Sequence, residues 1–197
     1  MKLVFATNNK NKIIEVKKLL PKHLTILSLE DIGCFEDIPE TKNTIEGNAK
    51  QKASYIKNKY GYNCFADDTG LEVNALNGEP GVFSARYAGL QKNADDNMNK
   101  LLTNLSKNKN RNAQFKTVIA LAVDDTIFTF EGICKGIITH SKTGDNGFGY
   151  DPIFKPENFD ETFAQMDLKL KNEIGHRGKA TKKLITYLNN KLLASNK

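Results

Sequence analysis

Four apolar residues, Leu3-Val4-Phe5-Ala6, turn abruptly polar at Thr7, and apolar residues then recur at helical spacing at Ile13, Val16, Leu19 and Leu20. A short buried strand, a polar loop and an amphipathic helix, in that order, begin an α/β chain, and Pro21 stops the helix. The loop, Thr7-Asn8-Asn9-Lys10-Asn11-Lys12, is rich in donors. This order aims loop amides and first-turn N–H groups at one point, which suits an anion. The same residues also suit an ordinary helix N-cap. They are not a Walker A loop, because the Gly-x-x-x-x-Gly-Lys-Ser/Thr pattern is missing.

The remaining pattern continues the α/β alternation. Thr25 to Leu29 reads as a strand, and Asp31 to Asn43 as irregular, with Glu36, Asp37 and Glu40 around Pro39. A helix starts near Thr44, with Ile45, Ala49, Ala53 and Ile56 on one face and Gly61 as its C-terminal cap. Asn63 to Ala66 reads as a strand ending at Asp67-Asp68-Thr69-Gly70, and Leu71 to Val73 resumes the alternation. Ala94 to Leu105 is helical, with Asp95 and Asp96 in its first turn. Phe115 to Val123, Ile127 to Phe130 and Ile133 to Thr139 read as strands, the first two joined by a turn at Asp124-Asp125. A glycine-bearing loop, Thr143 to Pro152, precedes helices over Glu161 to Asn172 and Gly178 to Leu193. The expectation is one α/β domain over residues 1–197, built on a mixed sheet.

Charge and cysteine usage narrow the function classes. No apolar run is long enough to span a bilayer, and the apolar N-terminus is too short for a signal peptide. Cys34, Cys64 and Cys134 are odd in number and scattered, so neither a disulfide framework nor a cysteine zinc site is indicated. A reducing cytoplasm is the expected location. The net charge of +6 comes almost wholly from lysine, since the arginines are Arg86, Arg111 and Arg177. A basic surface attracts nucleotide phosphates or nucleic acid, but the charge forms no block, which weakens the nucleic-acid reading.

Four polar segments interrupt the apolar pattern. Lys10, Lys12 and the asparagines of the first loop suit phosphate. Glu40 with Asp67-Asp68 offers carboxylates of the kind that hold Mg²⁺ or activate a water; a turn explains Asp67-Asp68 equally well. Gly147-Phe148-Gly149-Tyr150-Asp151-Pro152 places an aromatic between two glycines, where backbone can approach a ligand and a ring can stack on a base. Lys171, with His176 and Arg177 beside Gly175 and Gly178, gathers cations between two helices. Arg177 supplies a planar fork where the chain otherwise uses Lys.

Taken together, these segments resemble the inosine/xanthosine triphosphate pyrophosphatases, the Ham1-like proteins. The likeness runs through Thr7 to Lys12, Glu46-Gly47-Asn48-Ala49, Ala66 to Leu71, Pro80 to Gly89, Gly147 to Phe154, and Lys171 with His176-Arg177-Gly178. The resemblance implies an elongated mixed sheet flanked by helices, in two lobes with a central active-site cleft, and a homodimer. It implies Mg²⁺-dependent hydrolysis of ITP, dITP and XTP to monophosphate and pyrophosphate. It gives Asp68 as general base and metal ligand, and Glu40 as second metal ligand. Thr7, Asn8, Asn9, Lys10, Asn11, Lys12, Thr69, Phe148, Gly149, Tyr150, Asp151, Lys171, His176 and Arg177 become substrate-binding residues, with Arg177 donating to the purine C6 carbonyl. No membrane association and no stable nucleic-acid complex are expected. Two positions depart from the family pattern: Gly47 where Glu is frequent, and Gly175 where Ser is frequent. The alternatives are a Maf-like pyrophosphatase with another base preference and a basic nucleic-acid-binding module.

Overall fold

Strand β1 (Lys2–Phe5) is followed by helix α1 (Lys10–Lys17) and strand β2 (Thr25–Leu27), and β1 lies parallel to β2 with Leu3 opposite Ile26. The computed structural model describes residues 2–195. Next come α2 (Ile45–Tyr60), β3 (Cys64–Val73), the two-residue β4 (Pro80–Gly81), α3 (Ala94–Asn104), β5 (Asn112–Val123), β6 (Thr126–Ile138), β7 (Phe154–Pro156), α4 (Leu168–Ile174) and α5 (His176–Ser195). Among the described residues the strands form one sheet in the order β2-β1-β3-β5-β6-β7, with β4 on β3. The sheet is mixed: β1 is parallel to β3, while β4 and β7 run antiparallel to β3 and β6. The expected α/β class is found. No described helix is long and apolar enough to cross a membrane.

The chain divides into two compact units. Among the described residues the first comprises 2–68, 117–132 and 177–195; the second comprises 69–116 and 133–176. In the first unit α1 and α5 pack Val16, Ala180, Leu184 and Leu188 on Leu3, Phe5, Phe65, Ile119 and Leu121, and the Phe5 and Phe65 rings stack at 4.5 Å. In the second unit Leu101 of α3 and Leu105, the residue that caps its C-terminus, join Phe115, Ile138, Phe154 and Phe163 in a separate core. There the Phe115 and Phe154 rings meet edge to face at 4.7 Å, a favoured aromatic geometry.

Several boundaries differ from the sequence reading. Asp67-Asp68 does not end a strand: β3 runs unbroken from Cys64 to Val73. The turn residues are overridden because buried cations take up both carboxylates. β2 ends at Leu27, and α1 ends at Lys17, ahead of Leu19 and Pro21. The strands expected on either side of Gly132 are one strand, β6, with Gly132, Cys134, Gly136 and Ile138 continuing a single inward-facing alternation. Gly136 matters there because a Cβ would lie 2.3 Å from the Lys155 carbonyl of β7. The helix expected from Glu161 begins only at Leu168, where Asp167 caps it through the Leu170 N–H. Before that cap, Thr162 bonds the Thr143 carbonyl and the Phe163 N–H bonds the Phe154 carbonyl, so this stretch spends its hydrogen bonds outside a helix. Asp124-Asp125 is a turn between sheet neighbours β5 and β6, as expected.

Candidate active site

In β3, residues two apart share a face, so Asp67 points with Phe65 and Asp68 with Cys64 and Ala66. The Asp67 face carries α1 and α5. Lys12 Nζ donates to Asp67 Oδ1 at 2.9 Å, and Arg177 Nε donates to Oδ2 at 3.1 Å. Arg177 Nη1 donates in turn to Glu15 of α1. Burial opposes the Asp67 charge, but Lys12, Arg177 and Lys52 outweigh it and hold the carboxyl well below the usual carboxylate range. Burial also opposes the Arg177 charge, and Asp67 and Glu15 overcome it, so this guanidinium stays cationic. Lys12 is pushed the other way: desolvation leads, Asp67 opposes it, Lys52 and Arg177 add to it, and its pKa falls. Asp67 thus anchors both Lys12 and Arg177.

The Asp68 face meets α2. Thr44 caps this helix by accepting from the Gly47 N–H, and the Cys64 thiol donates to the Ala53 carbonyl at 3.2 Å. The buried stripe of α2 is Ile45, Asn48, Ala49, Lys52, Ala53 and Ile56. Lys52 therefore places an ammonium inside the fold, where it bonds Glu40 Oε1 and, at 3.2 Å, Asp68 Oδ1. Burial acts to lower the Lys52 pKa, but Asp68, Glu40 and Asp67 together raise it. Asp68 is shifted up, first by burial, with Glu40 and Asp67 adding and Lys52 and Lys12 opposing. The structure thus joins Glu40 and Asp68, as the sequence reading paired them. It adds Lys52 and Glu15, which that reading missed. Lys52 was detectable as a lysine on the helix face that also carries Ile45, Ala49, Ala53 and Ile56.

The first polar loop is shorter than expected, because Lys10, Asn11 and Lys12 already belong to α1. Asn9 is its cap, accepting from the Asn11 and Lys12 N–H groups at 3.0 and 3.2 Å, and Thr7 Oγ1 accepts from the Asn9 N–H. The capping reading therefore holds for Asn9. Asn8, Lys10 and Asn11 remain exposed beside the Lys12–Asp67 pair.

The second unit holds the other expected residues. Gly147 (φ 77°) and Gly149 (φ 65°) flank Phe148 in the left-handed region. Phe148 N–H donates to Asp151 Oδ2 at 2.7 Å, and Lys171 Nζ donates to the same oxygen at 2.5 Å. The Lys171 ammonium lies 4.8 Å from the centroid of the half-buried Phe148 ring, a cation–π arrangement. A Cβ on Gly147 would stand 2.1 Å from Asp151 Oδ2, so glycine lets this carboxylate close under the loop. Tyr150 is a core residue whose hydroxyl donates to the Ser84 carbonyl at 2.9 Å. His176 is buried and stacks on Phe115 at 4.5 Å. Thr69 sits half-buried in β3.

The chain is similar to known proteins over nearly its whole length. The model of the Ham1 family matches residues 3–187. A Flavobacterium johnsoniae protein named dITP/XTP pyrophosphatase is 71% identical over 188 residues, covering 95% of this chain and 98% of that protein. A protein of the same name from Porphyromonas gingivalis is 50% identical over 95% of this chain and 97% of its own length. The solved structure of a HAM1 protein from Coxiella burnetii superposes with a TM-score of 0.90 at 36% identity, over 96% of this chain and 99% of the other. The Staphylococcus aureus Ham1 protein gives 0.89 at 39% identity, over 97% and 100%. The chain is a member of the Ham1 family.

Proposed function

We propose that this Ham1-family enzyme hydrolyses deaminated purine nucleoside triphosphates (dITP, ITP and XTP) to the monophosphate and pyrophosphate, with Mg²⁺ bound. The observation that supports the reading most is the convergence of Glu40 and Asp68 on the buried Lys52 ammonium, in a chain 71% identical to a named dITP/XTP pyrophosphatase. Two carboxylates that already share one cation present the oxygens a hard divalent ion takes. Among the described residues no group of three or more acidic, His or Cys side chains offers a fuller cage. Mg²⁺ takes one or two protein carboxylates and keeps waters and substrate phosphates. Glu40 and Asp68 would hold the ion, which when bound offsets phosphate charge and acidifies a water.

The chain's own residues supply the rest of the mechanism. Asp68 accepts the proton of the attacking water. Water oxygen bonds to the α-phosphorus, the α–β phosphoanhydride breaks, and pyrophosphate leaves. Lys10 and Lys12 offset the triphosphate charge, and Lys52 keeps Asp68 and Glu40 in place. Phe148 is the stacking ring, with a base stack worth about 1–3 kcal/mol. Arg177, its Nε and Nη1 fixed by Asp67 and Glu15, is the forked donor suited to the C6 carbonyl of hypoxanthine or xanthine. Adenine offers a donor there, and a mispaired buried polar group costs about 1–3 kcal/mol. A homodimer is the assembly we expect, and light scattering on the purified protein checks it.

The test is pyrophosphate release from dITP, XTP, dGTP and dATP with Mg²⁺. We expect dITP and XTP to be consumed well ahead of the other two. Equal rates on all four would remove the selectivity, and orthophosphate as the product would remove the pyrophosphatase assignment.

A further inference from the structure

Glu40 stands on an irregular segment without secondary structure of its own, yet it must meet Asp68 of β3. Three consecutive residues of that segment are each held by a side chain of α2. Lys52 bonds the Glu40 carboxylate. Gln51 Oε1 accepts the Thr41 N–H at 2.9 Å, and its amide donates back to Thr41 Oγ1 at 3.0 Å. Asn48 Oδ1 accepts the Lys42 N–H at 2.9 Å. That last bond fixes the Asn48 amide: its oxygen faces a backbone donor, so its NH₂ faces the other way. There it donates to Asp68 Oδ2 at 3.4 Å, opposite the oxygen that Lys52 holds. Asn48 is 1% exposed. Gly47 makes the approach possible, because a Cβ at that position would lie 2.8 Å from both Lys42 Cβ and Thr44 Oγ1.

The geometry points to Asn48 as a positioning residue that sets Asp68 and the Glu40-bearing segment in one frame. This rests on the pyrophosphatase reading of the same site. Groups that orient metal-binding or catalytic carboxylates from behind typically matter about 10–100-fold in affinity or activity. Gln51 clasps the same segment but does not touch Asp68, so it serves as the internal control.

The experiment compares Asn48→Asp, Asn48→Leu and Gln51→Ala with the parent protein. Asn48→Asp keeps an oxygen for the Lys42 N–H and replaces the donor facing Asp68 with a second carboxylate oxygen. Three readouts are taken: kcat and KM on dITP, Mn²⁺ affinity from the electron paramagnetic resonance signal of the free aquo ion, and the melting temperature. We expect Asn48→Asp to lower kcat by about tenfold or more with KM within about twofold. Asn48→Leu should lower kcat and also weaken Mn²⁺ binding severalfold, while Gln51→Ala should move both far less. Asn48→Asp with kcat within twofold of the parent overturns the inference. So does a Gln51→Ala loss equal to that of Asn48→Leu, which would make the clasp merely structural. Should the parent protein not turn over dITP, the pyrophosphatase reading fails by itself; a weaker Mn²⁺ affinity in Asn48→Leu but not Gln51→Ala would still support the positioning role, and unchanged affinity in both would overturn it.

Discussion

Lys52 carries the site at the scale of single residues. Its ammonium is almost fully enclosed and bonded to two carboxylates, so removing it takes away the cation that Asp68 and Glu40 share. Lys52→Met should keep the helix, since Met is also a good helix former, while kcat on dITP falls by about 100-fold or more, the scale of losing one preorganised electrostatic partner. Steady-state kinetics with a parallel melting curve check this. The position of Lys52 was partly visible in the sequence, where a lysine falls on the helix face of Ile45, Ala49, Ala53 and Ile56. Its partners were not visible, because the segment that brings Glu40 to it has no periodicity to read. Arg177 shows a similar division: its forked shape was legible, but its engagement by Asp67 and Glu15 depends on which helices cover one face of β3.

Glu36 does for an element what Lys52 does for the site. A single oxygen of its carboxylate accepts from Tyr55, Lys59 and Tyr60 of α2, at 2.9, 2.7 and 2.6 Å. These bonds tie the segment leading to Glu40 onto the helix. The Lys59, Tyr60 and Tyr55 contacts pull the Glu36 pKa far below its ordinary 4.5. A depressed folded-state pKa adds stability that is present above the unfolded value and is lost as pH falls. Thermal melts should therefore show Glu36→Gln less stable than the parent at pH 7, with the gap narrowing progressively below pH 4.5. A gap that stays constant to pH 3 would remove the ionic contribution. At this scale the capped helices were well marked in sequence: Thr44 and Gly61 bound α2, and Asp95 and Asp96 open α3, as expected. The stretch from Glu161 misled because its helical spacing competes with bonds to residues 143 and 154, partners that no local pattern reveals.

Over the whole molecule, the charge of +6 is spread along the chain in lysines. It should act as a long-range attraction for a triphosphate rather than as a binding face. Raising ionic strength shortens the Debye length to about 3 Å at 1 M salt. Hence kcat/KM for dITP should fall severalfold between low and high salt while kcat changes little. Single-stranded DNA should fail to inhibit at concentrations that saturate a nucleic-acid binder; strong inhibition would revive that alternative. The fold class was legible because alternating strands and helices announce an α/β chain. The division into two packed units was less so, since β3, β5 and β6 each contribute residues to both.

The unbroken course of β3 through Asp67 and Asp68 has one more consequence. The strand's own backbone is a partition: one carboxylate bonds Lys12 and the Arg177 that also bonds Glu15, its neighbour bonds the Lys52 that also bonds Glu40. Identical chemistry is thereby sorted by parity alone into a counter-ion for Lys12 and Arg177 and the carboxylate we propose as the base. A one-residue slip of this strand would exchange the two roles without changing a single side chain. Inserting or deleting one residue near Cys64 should therefore be far more damaging to turnover than most substitutions in the same strand.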